Sequence, residues 1–276
     1  MMKHKWRFLF GGLAGALVAA TWWLYNRRPR ERIPSHESVD DPEVAQAFGW
    51  VATLPQMWLL RWFVAHRAVR MTGRGEAVDL GCGPGQLVIE LVRRSPGLHV
   101  TGIDLSDEMI ARGQDNARRA GVADRVSFRR GDAQQIPFLD TSLDLVVSTL
   151  SLHHWSDPVA VLDEIARVLR PSGSFLIFDL RRDMIAPCWL LLWFATHVVV
   201  PAALRRVNEP LGSRNAAYTP QEAARLAEQS RLSGWRITRG PLWLTIEGDG
   251  YGNMITDQYS SGKKHGRWRR QGRRSD

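Results

Sequence analysis

The run Val78-Asp79-Leu80-Gly81-Cys82-Gly83-Pro84-Gly85 constrains this chain more than any other stretch. An apolar segment ends beside an acid, three glycines follow at alternate positions, and a second apolar segment opens at Leu87-Val88-Ile89. The pattern predicts a strand, a tight turn and a helix. Glycine reaches positive φ at little cost, and it lets a ligand lie on the backbone at a helix N-terminus, where free N–H groups and the helix dipole point outward. Two better-known glycine motifs fail on spacing. A P-loop requires Lys and then Ser or Thr after its last glycine, and Gln86-Leu87 stand there. A dinucleotide fingerprint requires its third glycine three residues after the second, and that position is Gln86.

From Glu76 onward, apolar runs alternate with helical patterns: Ala77–Leu80, Leu98–Ile103, Val126–Phe128, Leu143–Thr149 and Phe175–Leu180 read as strands. The alternation predicts a mostly parallel, doubly wound α/β sheet. One intervening helix is framed clearly, with Ser156-Asp157-Pro158 at its start, Val159, Leu162, Ile165, Ala166 and Leu169 on one face, and Pro171-Ser172-Gly173 at its stop. Trp235–Thr238 and Leu242–Glu247, joined by Gly240-Pro241, are candidates for two further strands. Sheets of this kind bind ligands beyond the carboxyl ends of their strands, so the strand ends are where chemistry belongs. The second strand ends at Asp104, 23 residues after Gly81. A carboxylate there can accept both hydroxyls of a ribose, or it can cap the next helix. The third strand leads to Gly131-Asp132-Ala133, and the fourth runs through Ser148 to Leu152-His153-His154-Trp155.

Taken together and in this order, the glycine turn with its acid, Asp104, Asp132-Ala133 and His153-His154-Trp155 resemble the class I S-adenosylmethionine-dependent methyltransferases. The likeness is to the large group that includes the quinone-pathway enzymes. It covers residues 76–180, including the approach to the fifth strand at Val168-Leu169-Arg170-Pro171-Ser172-Gly173. The resemblance implies a Rossmann-like, seven-stranded, mostly parallel sheet with a C-terminal antiparallel strand, and S-adenosyl-L-methionine as cofactor. Carried over by position, it places Gly81, Cys82, Gly83 and Gly85 along the methionine part of the cofactor and Asp104 on the ribose, with Leu105 beside it. Asp132 and Ala133 flank the adenine, Ser148 joins them from the fourth strand, and Asp79 orients the turn or the cofactor's amino group. His153 and His154 fall where an acceptor would sit, and either can serve as a general base if the acceptor must lose a proton. The resemblance implies no metal.

A net charge of +9 suggests a nucleic-acid partner at first sight, yet the charge is confined to the ends. Residues 3–32 and 263–276 each carry seven Lys or Arg against one acid, and the remainder is slightly acidic. That distribution argues against a nucleic-acid surface on the folded domain and suits basic tails near anionic lipid. Phe8 to Tyr25 contains no charged residue and is flanked by bases on both sides, with Trp22, Trp23 and Tyr25 at one end; its length just suffices for a bilayer crossing. A cleaved signal peptide is the alternative, with Val18-Ala19-Ala20 as its cleavage site. An exported enzyme would leave its cofactor behind, which favours an anchor with the domain on the cytoplasmic side. Two cysteines, Cys82 and Cys188, make neither a disulfide framework nor a zinc site.

The chain thus divides into an anchor over 1–27, a linker over 28–42, a catalytic domain over 43–247 and a basic tail over 248–276. The domain carries an insertion over 183–218. Within it, Ile185–Leu204 contains no Asp, Glu, Lys or Arg and includes Trp189, Trp193 and Phe194. A crossing there would strand the last two β-segments on the wrong side of the membrane. The expected form is a helix lying on or dipping into the membrane, or roofing the substrate pocket, bent at Pro187 and Pro201; the alternative is a buried helix of the globular domain. Leu54–Val69, with Trp58, Trp62 and Phe63, reads either as a helix packed on the core or as one that covers the site or touches membrane. The expected function is methyl transfer to a small lipophilic acceptor, a quinone precursor or a lipid head group. Two alternatives from other classes stand beside it: a nicotinamide-dependent oxidoreductase with Asp104 on the ribose, and a non-catalytic scaffold that keeps the cofactor fold.

Overall fold

The computed structural model describes Tyr25, residues 31–34 and residues 42–249. The anchor expected over 1–27 lies outside the described residues apart from Tyr25, as do residues 26–30, 35–41 and the tail from 250 onward. Seven strands form one sheet in the order β3-β2-β1-β4-β5-β7-β6. They are β1 Arg74–Leu80, β2 Gly97–Asp104, β3 Val126–Arg130, β4 Leu143–Thr149, β5 Leu169–Leu180, β6 Trp235–Arg239 and β7 Trp243–Asp249. The first five run parallel, and β7 pairs antiparallel with both β5 and β6. The order reverses between β1 and β4, so the carboxyl ends of these two strands flank the crevice where such sheets take ligands.

Most helices begin and end where the chain signals it, but the one expected to carry Leu169 and stop at Pro171-Ser172-Gly173 ends at Val168, because Leu169 already opens β5. Helix α4, Asp107–Ala120, follows α3, Gln86–Arg94. The Ser106 hydroxyl accepts from Met109 N–H at the start of α4, and Gly121 closes it at φ 67°. That left-handed position suits a glycine, which carries no Cβ to clash. Helix α5, Pro158–Val168, is capped by Asp157, whose carboxylate accepts from Ala160 N–H at 3.0 Å. The first two helices are α1, Pro42–Ala52, and α2, Pro55–Met71. Helices α2, α3 and α4 bury Val64, Leu87, Val88, Leu91 and Ile110 on one face of the sheet, while α5 buries Val161, Leu162 and Ile165 on the other. Such sites leave no room to relax, and truncating a wholly buried leucine such as Leu91 to alanine costs about 2–5 kcal/mol.

The insertion after β5 is a broken helix. It comprises α6, Ala186–Phe194, a π-helical turn Ala195–Val199, then α7, Ala202–Arg206, and α8, Leu211–Ala216. Pro201 stands at the bend as expected, but Pro187 does not bend anything. It occupies the first turn of α6, where a missing N–H goes unnoticed. Among the described residues no single helix is long and apolar enough to cross a membrane; Ala186–Val199 and Ala202–Ala216 pass that test only as a pair bent by 118°. Thr219 then opens α9, Pro220–Gln229, with a capping box to Glu222. Helix α2 shows two faces: Val64, Ala65 and Ala68 are buried, whereas Trp58 and Leu59 are more than half exposed.

Candidate active site

The glycine turn sits directly on the end of β2. Gly81 and Cys82 N–H both donate to the Ile103 carbonyl, at 2.8 and 3.0 Å. Gly81 and Gly83 carry φ of 69° and 51°. At Gly81 a Cβ would strike the Ser151 hydroxyl, so the loop after β4 lies against the turn; at Gly83 a Cβ would meet nothing within 4 Å, so that position faces open space. Gly85, as N-cap, starts α3. The sequence pattern therefore leaves one backbone surface uncovered and one pressed against the next loop.

Two carboxylates meet beneath this turn. Asp104 accepts from Gly83 N–H at 2.8 Å and from Ser106 N–H at 3.0 Å, one bond to each oxygen. A carboxylate offers about four acceptor directions, so Asp104 can still accept from a ribose hydroxyl. Burial pushes its pKa up, against backbone bonds from Ser106, Gly83 and Leu105 that pull it down. Asp79 is 2% exposed and its Oδ1 has no hydrogen-bond partner among the described residues. Burial first, and the nearby Asp104 charge second, hold its carboxyl well above the ordinary carboxylate range. A buried acid pair of this kind is suited to a cationic ligand, which would satisfy the orphaned oxygen and relieve the repulsion. Leu105, 65% exposed, offers an apolar side chain at the same strand end.

β3 adds Asp132 to this edge. Gly131 N–H donates to the Asp104 carbonyl at 3.0 Å, and the exposed Asp132 accepts from Gln134 N–H at 2.9 Å, with Ala133 following. A concavity of about 570 Å³ opens here, lined by Gly131, Asp132, Ile136 and Phe138 among others. It adjoins the Asp132 edge, and neither the glycine turn nor the histidine loop contributes to its lining. Two of the residues expected at the cofactor bury their side chains. The Cys82 thiol is buried, lies beside Gly102 and is pushed up in pKa by that burial. The Ser148 hydroxyl is wholly buried and donates to the Leu80 carbonyl at 2.9 Å, tying β4 to β1.

Beyond β4 the backbone is strained at Leu150, with φ 57°, a conformation that costs a non-glycine residue on the order of 1–3 kcal/mol and clusters at functional sites. A short 3₁₀ turn follows, Leu152–His154. His153 is 2% exposed, and its Nδ1 lies 2.7 Å from Asp179 Oδ1 at the end of β5. Asp179 also accepts from His153 N–H at 2.9 Å and from Leu180 N–H at 2.6 Å, so the carboxylate is fixed by the 3₁₀ turn and by its own strand. A carboxylate at Nδ1 selects the tautomer with the proton there and leaves Nε2 as a base. His153 Nε2 is buried with no hydrogen-bond partner among the described residues. The His154 ring centroid is 3.9 Å from that of His153. Desolvation first, then His153 and Arg32, push the His154 pKa down. His154 as a whole residue is exposed, which tempers that desolvation without reversing it: at pH 7 it is a neutral imidazole.

Sequence reasoning missed two members of this constellation. Asp179 carried the same signal as Asp104, an acid at the carboxyl end of a strand, but its partner could not be inferred from spacing. Arg32 belongs to the stretch read as a linker. Its guanidinium donates to the Ala216 carbonyl at 2.7 Å and to the His153 carbonyl at 3.1 Å, and lies 4.4 Å from the Tyr218 ring centroid.

Residues 78–177 match the family model for a methyltransferase domain. This stretch is a class I S-adenosylmethionine-dependent methyltransferase domain. The chain is 33% identical over 168 residues to a demethylmenaquinone methyltransferase of Lactiplantibacillus plantarum, covering 59% of this chain and 65% of that protein. It is 40% identical over 102 residues to a 27-O-demethylrifamycin SV methyltransferase of Amycolatopsis mediterranei, 37% of each chain. The chain therefore spans less than two thirds of either relative. A crystal structure of an S-adenosyl-L-methionine-dependent methyltransferase from Methanococcus maripaludis aligns over 81% of this chain and all of that one, with a TM-score of 0.61 and 20% identity, a likeness of fold. The cofactor of the methyltransferase domain is S-adenosyl-L-methionine, and the residues present fit it: the orphaned Asp79 oxygen and paired Asp104 suit its cationic methionine end and ribose, and the open space at Gly83 admits it.

Proposed function

We propose that this protein methylates a small lipophilic acceptor with a weakly acidic hydroxyl, such as a phenol or a quinol precursor, at a membrane surface. The observation that carries this reading is the buried His153–Asp179 pair with its unpartnered Nε2. An acceptor that is already a free nucleophile needs no base, whereas a hydroxyl must lose its proton before its oxygen, or a conjugated ring carbon, can attack. The cofactor supplies a methyl group on a cationic sulfur, ready for transfer to a nucleophile. The chain's own groups do the rest. Asp79 and Asp104 hold the cationic and ribose ends, the glycine turn lets the ligand lie against backbone, and His153 Nε2 takes the acceptor's proton. Asp179 keeps the ring in place and offsets the charge it gains, and neutral His154 adds no competing positive charge beside it. Positioning by such a frame contributes roughly 7–11 kcal/mol to transfer reactions, and a placed base a further 10²–10⁴-fold.

The relatives named above act on a demethylmenaquinone and on a demethylated rifamycin, which supports an acceptor of this class. Steady-state assays with short-chain quinols and phenols, in the presence of the methyl donor, test it. His153→Ala should lower kcat about 10²–10⁴-fold with the affinity for S-adenosylhomocysteine unchanged. Full activity in that variant at every pH would exclude a proton-accepting role and point to an acceptor that is already nucleophilic.

A further inference from the structure

We propose that the outward face of α6 and its π-helical turn is the surface that docks into a lipid bilayer. The inference deepens the membrane part of the reading above and rests on it. A helix of a water-soluble domain shows an apolar stripe inward and polar residues outward. Here the outward stripe is apolar as well. Pro187, Leu191, Phe194 and Val198 recur at helical spacing on the exposed side, with Leu191 70%, Phe194 49% and Val198 58% exposed, while Trp189 and Thr196 point inward at 5% and 2%. Ile185 and Val199 extend the exposed patch at either end.

The polar groups within the stretch behave as a lipid environment demands, where every donor must find a partner in its own segment. Thr196 Oγ1 donates back to the Leu192 carbonyl at 2.9 Å, and His197 Nδ1 lies 2.8 Å from the Trp193 carbonyl, with its ring stacked on that tryptophan. The charge-free stretch Phe8–Tyr25 ends on this same helix. Tyr25 packs edge-on against Trp189, centroids 5.9 Å apart, and its hydroxyl donates to the Met184 carbonyl at 3.2 Å. A segment of that composition seeks hydrocarbon, and its last residue, Tyr25, lies against α6. Exposed Arg205 follows at the bend, beside Arg206, which pairs with Glu43, and Arg27, Arg28 and Arg30 follow Tyr25 in sequence, a supply of cations for anionic headgroups. The helix through Val199 is about 20 Å long against a hydrocarbon core of about 30 Å, and the chain turns at Pro201. The partner is therefore one leaflet, entered from the side.

The test uses the full chain in vesicles of phosphatidylcholine with a minor share of phosphatidylglycerol. In a Cys188→Ser background, an environment-sensitive nitrobenzoxadiazole dye is attached to Phe194→Cys, and in a parallel sample to Leu139→Cys, an exposed apolar position outside this face. On adding vesicles, the dye at 194 should shift to the blue and be quenched severalfold more than the dye at 139 by lipids carrying a nitroxide on the acyl chain. Equal quenching at both positions overturns the proposal. A blue shift at 194 without nitroxide quenching, accompanied by cross-linked dimers, also overturns it and assigns the face to a second copy of this chain. The readout is lipid contact, so loss of methyl transfer, or its absence from the start, would be distinguishable through a separate assay on the same vesicles.

Discussion

Asp79 and Asp104 set the electrostatics beneath the glycine turn. An acid whose folded pKa is raised holds its proton longer in the native state, so stability falls as pH climbs from the ordinary carboxylate range toward the raised value. Asp79 does this by burial and by its neighbour. A ligand carrying an ammonium group favours the ionised form, so binding should release a proton, and affinity should rise with pH through the same window. Calorimetry of S-adenosylhomocysteine binding in buffers of different ionisation enthalpy measures that proton directly. Asp79→Asn should weaken binding roughly 10- to 100-fold, the equivalent of about 1.5–3 kcal/mol for a hydrogen bond to a charged group. The free variant should at the same time be more stable than the parent, increasingly so as pH rises. Unchanged affinity would remove Asp79 from the site. The positions of these acids were legible in the chain because strand ends announce themselves by apolar runs that stop. Where Cys82 and Ser148 direct their side chains was not, since a strand buried on both faces gives no polar alternation to read.

At the scale of elements, the sheet and its crossover helices were readable for the same reason, but the contacts that lock them were not. Glu247 on β7 is wholly buried and accepts from Arg67 of α2, from Arg236 at 3.0 Å and from Thr238 at 2.9 Å. Burial alone would raise its pKa; the bonds from Arg67, Arg236 and Thr238 outweigh it and leave the pKa lowered. Stability from a depressed acid is present above its unfolded pKa and is lost as pH falls through the folded one. Arg67→Ala should therefore cost about 1.5–3 kcal/mol near neutrality, with the deficit shrinking below pH ~4; urea denaturation across pH reports both. A cost that stays constant to low pH would mean that packing of the arginine stem, not its charge, holds α2. The two partners are 180 residues apart, and no local pattern couples them. The broken helix after β5 was visible as an apolar stretch, yet only the structure separates its inward tryptophan from its outward stripe.

For the molecule as a whole, the stretch between the apolar N-terminus and the domain is short and fastened at both ends. Tyr25 sits on α6, and Arg32 sits on the carbonyls of His153 and Ala216, with Ile33 N–H donating to Asn215 at 3.0 Å. Arg32→Ala should raise KM for the acceptor severalfold and leave the affinity for S-adenosylhomocysteine unchanged; hydrogen exchange over residues 213–218 should speed up in parallel. Wild-type kinetics in that variant would reduce the arginine to a surface contact. Its role was hidden because its partners are main-chain carbonyls, which any sequence supplies. Six residues separate Tyr25 from Arg32, seven Cα–Cα steps with a reach of at most about 25 Å. With a leaflet at the α6 face, that leash would keep the histidine loop within one bilayer's thickness of an acceptor dissolved in the lipid. The enzyme would then search in two dimensions, and its rate would follow the mole fraction of acceptor among the lipids rather than its concentration in the tube.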